Sequence, residues 1–274
     1  MVAAQIPRLL EPPRHSFFLF GPRGTGKSRW IAARFADAAA SFDLLDETVR
    51  VELLSDPGAL ARKLEPLRPG DWVVIDEVQR APVLLNTVHR YIEKRRLRFV
   101  LCGSSARQLR RRGVNLLAGR AVERRLHPLT PAELGERFDL EDALRLGTLP
   151  LVWSAADRAD TLRAYVQTYL AQEIQAEAAV RGLPSFVRFL PIAALFHGQT
   201  LSAASLARDA GVPRSTVQTY LEILEQTLLT FRLEAYRPRL RVKEVAHPKI
   251  YWADAGLVRA FKRSLGPLQE EERG

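Results

Sequence analysis

The chain has 274 residues, 47% hydrophobic and 26% charged, enough for one large domain or two to three small ones with buried cores. Its 41 Lys and Arg against 31 Asp and Glu give a formal charge of +10, largely from Arg, which suits phosphate-bearing partners but also fits an arginine-rich coding habit. One cysteine, Cys102, excludes an intrachain disulfide framework and a Cys-rich metal site.

No apolar run approaches membrane-spanning length. The N-terminal segment, with Pro7, Arg8, Glu11, Pro12 and Pro13, lacks the apolar centre of a signal peptide, so a cytoplasmic protein with no membrane partner is expected. After a lead-in over residues 1–15, the apolar residues 16–20 predict a short strand. Gly21, Pro22, Arg23, Gly24, Thr25, Gly26, Lys27 and Ser28 follow and fit G-x-x-x-x-G-K-[ST]. An Ala-rich helix with Trp30, Ile31 and Phe35 on one side is predicted from Ser28 towards Ala40.

Strand, glycine loop and helix in that order form a phosphate cradle. Gly24 and Gly26 let the backbone curl so that N–H groups point inward, and the helix start adds its positive dipole end. Lys27 is expected to reach the outer phosphates, Ser28 to take a coordination place on Mg²⁺, and Arg29 to lie beside them. The alternative, a glycine turn that merely joins strand to helix, leaves the Lys-Ser pair unexplained.

Residues 42–46 predict a second strand, followed by a variable piece through Leu53, Leu54, Ser55, Asp56 and Pro57 and a helix near 58–65. The turn at residues 68–71 leads into Trp72, Val73, Val74 and Ile75, a run suited to a strand buried on both faces of a parallel sheet. It ends at Asp76 and Glu77, the composition of a Walker B pair. Asp76 is expected to hold Mg²⁺ through water, and Glu77 to orient and polarise the attacking water.

A helix over residues 82–95 carries Leu84, Leu85, Val88, Tyr91 and Ile92 at helical spacing. It leads into a strand over 98–102 that stops at Gly103, Ser104 and Ser105. Ser104 is placed to sense the γ-phosphate or the attacking water, with Ser105 as its rival. A basic helix with Arg107, Arg110, Arg111 and Arg112 follows, and Gly119 and Arg120 open a last strand, 122–126. Arg120 is read as an arginine finger acting on a neighbouring subunit's nucleotide, in preference to the four earlier arginines. This alternation predicts a doubly wound α/β core over residues 1–150.

Helical spacing then dominates. Residues 151–197 are predicted to form a small helical lid, and residues 198–262 a winged-helix domain, leaving a tail over 263–274. Leu201 to Ala210 predicts one helix, residues 211–213 a tight turn, and Arg214 to Leu229 a second helix. Strands at residues 231–236 and 249–252 flank a basic connection, the layout of a wing. Arg214, Ser215, Thr216 and Gln218 are the residue types that reach base edges and phosphates from such a helix. Arg237, Arg239, Arg241, Lys243 and Lys249 would grip the backbone, although winged helices also dock proteins. The histidines show no metal-ligand spacing.

Taken together, residues 21–28, 73–79, 101–106, 119–120 with 129–134, 147–150 and 249–257 resemble a family of bacterial and archaeal AAA-type (AAA+) ATPases. The resemblance covers nearly the whole chain. It implies a P-loop ATPase core, a helical lid and a winged helix, with ATP and Mg²⁺ bound. It also implies that the element around Gly147 approaches the nucleotide base, making Pro150 a contact. Longer members of the family continue into a C-terminal domain of unknown function, compared to restriction-endonuclease-like folds. The residues such a nuclease needs are not visible here.

The expected protein is therefore a Mg²⁺-dependent ATPase, a homo-oligomer, coupled to DNA through a winged helix. The alternative is a slow-hydrolysing nucleotide-gated switch that binds ATP or ADP and holds DNA or a protein. A small-molecule kinase built on the same loop leaves the helix-turn-helix and Glu77 without a purpose.

Overall fold

The computed structural model describes residues 6–104, 109, 117–169, 183–235 and 247–273. Within them the chain forms two compact units, one spanning Pro7–His127 and the other running from Pro128 onward.

The first unit is built on five parallel strands: β1 (Phe17–Phe20), β2 (Ala40–Asp43), β3 (Trp72–Asp76), β4 (Arg98–Gly103) and β5 (Val122–Arg125). Their spatial order is β2-β3-β4-β1-β5. β1 is buried along its whole length, which its sequence of three Phe and a Leu demands. After β1 the chain crosses two strand positions to β2, then returns through β3 and β4. Such a reversal opens a crevice at the carboxyl ends of the strands, where ligands bind in open α/β sheets.

The helices of this unit are α1 (Lys27–Arg34), α2 (Glu47–Ser55), α3 (Ala59–Leu64) and α4 (Leu84–Arg95). Phe17 and Leu19 pack with Trp30 and Ile31 of α1, Val74, Val100 and Cys102. Trp30 lies edge-on to Phe17 with centroids 6.1 Å apart, and Phe35 lies 4.9 Å from Trp72. Burial of Phe17 and Trp30 contributes about 1.5–3 kcal/mol each, which fixes α1 and the loop before it.

Several boundaries differ from expectation. α1 stops at Arg34, where the Phe35 amide caps back onto Ile31, and β2 begins at Ala40. Asp43 ends β2 by accepting from the Leu45 amide, and Asp46 caps α2 by accepting from the Thr48 and Val49 amides. The supposed variable piece through Leu53 is thus helical. It lacked a periodic signal because Leu53 is its one buried residue.

The second unit contains α5 (Pro131–Leu134), α6 (Leu140–Leu146), α7 (Pro150–Trp153), α8 (Arg158–Ala164), α9 (Leu183–Leu195), α10 (Ala203–Ala210), α11 (Arg214–Gln226), the antiparallel pair β6 (Thr230–Leu233) and β7 (Lys249–Trp252), and α12 (Ala255–Phe261). Residues 128–150 group with the C-terminal unit. One hydrophobic core runs from Leu146 through Phe189, Leu206, Tyr220 and Leu224 to Phe261, so the expected lid and winged-helix segments share an interior.

Asp254 ties the unit together. Its carboxylate is buried and accepts from the Thr148 amide at 2.7 Å and the Leu257 amide at 3.1 Å. Gly147 sits at φ 75, ψ −176, and a side chain there would collide with that carboxylate, so glycine is required.

Candidate functional site

The parallel register brings the ends of β1, β3 and β4 to one edge of the sheet. The loop over residues 21–26 leaves β1 and curls back, with Gly24 at φ 80 and Gly26 at φ 84, conformations that a side chain resists. Gly21 passes the Leu126 carbonyl so closely that a β-carbon there would lie 2.3 Å from its oxygen. Thr25 is buried and its hydroxyl donates to the Pro22 carbonyl at 2.8 Å, while Arg23 and Arg29 are exposed.

Lys27 is the first residue of α1 and is almost fully buried. Its ammonium donates to the carbonyls of Gly21 at 2.7 Å and Pro22 at 3.1 Å, which holds the charge over the loop. The exposed Ser28 hydroxyl donates to Asp76 Oδ2 at 2.7 Å, joining loop and β3. Asp76 Oδ1 accepts from the Glu77 amide at 2.9 Å. A hydroxyl and a carboxylate so placed offer the hard oxygen ligands that suit Mg²⁺, and each could hold it directly or through water.

Glu77 adopts a left-handed conformation, φ 56 and ψ 41, at the exit of β3. Burial pushes its carboxyl above the ordinary range, and the Asp76 charge adds to the rise. Lys27, the Gln79 amide and Arg23 oppose it. Gln79 Nε2 donates to Glu77 Oε2. Ser104, buried at the end of β4, holds its hydroxyl 3.5 Å from the same Gln79 nitrogen. Cys102 is fully buried beside them, and burial first, the Asp76 charge second, hold its thiol protonated.

The expected loop, the acidic pair and Ser104 thus lie at one edge. Arg120 lies before β5 and its guanidinium pairs with Glu93 of α4. Pro150 is the first residue of α7, in the C-terminal unit rather than the unit that holds the loop. Ser105, Arg107, Arg110, Arg111 and Arg112 lie outside the described residues, as do Arg237, Arg239, Arg241 and Lys243.

Two contributors carried no assigned role in the sequence. Arg8 donates to the Thr25 carbonyl at 2.7 Å and to the His127 carbonyl at 2.5 Å, pinning the loop. Gln79, although part of the motif, showed no partner until β4 was placed beside it.

In the C-terminal unit, α10 begins at the Ser202 cap, and Gly211 at φ 63 turns the chain towards α11. Val217, Tyr220, Leu221 and Leu224 face inward, leaving Arg214, Ser215 and Gln218 exposed and Thr216 half-buried. Isolated bridges join His197 to Ile250 and Thr200 to Lys249, so the stretch before α10 lies alongside β7.

Residues 13–135 match the AAA domain family. That match covers the glycine loop, the acidic pair, Ser104 and Arg120. Residues 137–267 match a domain of unknown function. The domain of unknown function covers the segment expected to hold lid and winged helix. Two uncharacterized proteins, of Mycobacterium tuberculosis and Mycobacterium bovis, are each 30% identical to the chain over 251 residues, covering 88% of it. The alignment covers 54% of those proteins, so the chain spans about half the length of the curated relatives it matches.

Among solved structures, Aeropyrum pernix Orc1 in complex with DNA has a TM-score of 0.36 at 15% identity, covering 93% of this chain and 87% of that one. A Thermotoga maritima RuvB mutant has a TM-score of 0.37 at 17% identity, covering 81% and 82%. Similarity at this level assigns neither a shared fold nor a shared activity. No helix among the described residues is long and apolar enough to cross a membrane.

Proposed function

We propose that the chain is a Mg²⁺-dependent ATPase of the AAA+ type whose C-terminal unit engages DNA through a winged helix. The observation that carries the catalytic half is the Ser28–Asp76 hydrogen bond of 2.7 Å, which joins the glycine loop to the acidic pair with Lys27 buried alongside. Loop N–H groups and Lys27 would cradle the phosphates of ATP, and Ser28 and Asp76 would hold Mg²⁺, which supplies charge neutralisation at the phosphates when bound. Glu77 would orient and polarise the attacking water, and Ser104 would sense the phosphate. Arg120 would act on a neighbouring subunit's nucleotide within a homo-oligomer.

The DNA half rests on the C-terminal unit. The order α9, bridged stretch, α10, α11, β6 and β7 supports the winged-helix reading, and α11 offers exposed Arg214, Ser215 and Gln218. Thr216, with Arg239, Arg241 and Lys243 of the connection, completes the proposed contact set. An excess of cations adds sequence-independent attraction to the phosphate backbone.

The two halves are tested separately. Fluorescence anisotropy with a labelled duplex should show binding that weakens steeply with salt and falls about tenfold in Arg214→Ala. Salt-insensitive or unaltered binding would remove α11 from its role. A labelled-nucleotide binding assay should show Lys27→Ala losing affinity. Nucleotide binding with turnover no faster than that variant would transfer the assignment to the switch reading.

A further inference from the structure

The amide of Gln79 is buried and polar, yet its oxygen makes no hydrogen bond among the described residues. A buried carbonyl without a donor costs free energy that an apolar side chain of the same shape would not. The nitrogen of the same amide donates to Glu77 Oε2 and lies 3.5 Å from Ser104 Oγ. The oxygen faces the α-carbon of Gly103, where a β-carbon would lie 2.4 Å from it. One side chain therefore links the end of β3 to the end of β4, and glycine at 103 makes room for it.

We propose that Gln79 is a positioning residue that sets the Glu77 carboxylate relative to Ser104 for attack on the nucleotide. The role rests on the hydrolase reading above. Gln79 lies two residues beyond Glu77, on the three-residue turn Val78–Arg80, so its amide returns to the site from outside the strand. Glu77 leaves β3 in a left-handed conformation, and its carboxylate accepts from the Gln79 amide. A general base must sit within hydrogen-bond reach of the proton it takes, so a small rotation of this carboxylate is costly to turnover and neutral to nucleotide binding.

The test compares Gln79→Met, which keeps length without the donor, and Gly103→Ala, which displaces the amide without substituting Gln79. Each is measured for nucleotide affinity and for kcat and KM of ATP hydrolysis. Both should lower kcat by about ten- to a hundredfold while affinity and KM stay within about twofold. Combined with Glu77→Gln, Gln79→Met should add nothing further, because the two act as one unit. Unchanged kcat in Gln79→Met, or full additivity with Glu77→Gln, overturns the role of Gln79 alone. A wild-type rate equal to Lys27→Ala overturns the hydrolase reading and this role with it.

Discussion

Ser28 and Asp76, 48 positions apart in the chain, meet through a 2.7 Å hydrogen bond from hydroxyl to carboxylate. The contact follows from topology. β1 and β3 run parallel on either side of β4, so Ser28, in the first turn of α1, and Asp76, the residue ending β3, emerge at one edge. Ser28→Ala should keep nucleotide binding but lower Mg²⁺-dependent turnover by about tenfold or more, with the Mg²⁺ requirement raised. A Mg²⁺ titration of hydrolysis checks this. An unaltered titration would leave the pair a structural bond only.

Glu77→Gln preserves shape and removes the charge that polarises water. Turnover should fall by at least about a hundredfold while affinity for ATP is retained. Rapid-quench hydrolysis alongside equilibrium binding separates the two quantities. Hydrolysis at the wild-type rate would take Glu77 out of the reaction.

Arg8 holds the Thr25 and His127 carbonyls at once. Arg8→Ala should cost about 1 kcal/mol of stability and weaken nucleotide binding several-fold, because the loop loses a fixed point. Thermal unfolding with and without nucleotide measures both effects. Equal melting curves for variant and wild type would show that the loop holds its shape unaided.

Gly147 adopts φ 75, ψ −176, and a β-carbon there would lie 1.9 Å from Asp254 Oδ1. Gly147→Ala should therefore destabilise the C-terminal unit by about 3 kcal/mol or more, through strain and displacement of a buried carboxylate from its amides. Chemical denaturation followed by tryptophan fluorescence, to which Trp153 and Trp252 of this unit contribute, reports it. A loss within experimental error would mean that the Asp254 contact yields easily.

His197 Nδ1 accepts from the Trp252 amide at 3.0 Å, which requires an unprotonated nitrogen. Burial, then Lys262, lowers its pKa below the ordinary 6.5. A histidine depressed in the folded state contributes stability that is present above pH 6.5 and is lost as pH falls through the folded value. The C-terminal unit should lose stability over that acidic window, and His197→Gln should remove this component. Parallel melting curves at pH 7.5 and 5 would decide it, and an identical acid loss in the variant would assign the effect elsewhere.

Much of the N-terminal unit could be read in advance because its signals are local. The eight residues from Gly21 to Ser28 announce their own loop, and the run ending at Asp76 and Glu77 announces a buried strand with chemistry at its end. What depends on tertiary neighbours could not be read. Arg8 lies seventeen residues before Thr25, and Gln79 lies twenty-five before Ser104, so neither pairing leaves a spacing signature. The helix over residues 47–55 was missed because it buries one leucine, and its cap at Asp46 was its clearest mark. Nor did any spacing foretell that Gly147 lies against the buried Asp254, more than a hundred residues away.

The most direct measurement is steady-state phosphate release from ATP with Mg²⁺, with and without duplex DNA, using Lys27→Ala as the blank. The expected result is turnover well above the blank that rises when DNA is added, and fails to rise in Arg214→Ala. Turnover equal to the blank in both conditions, with nucleotide still bound, would contradict a DNA-coupled ATPase.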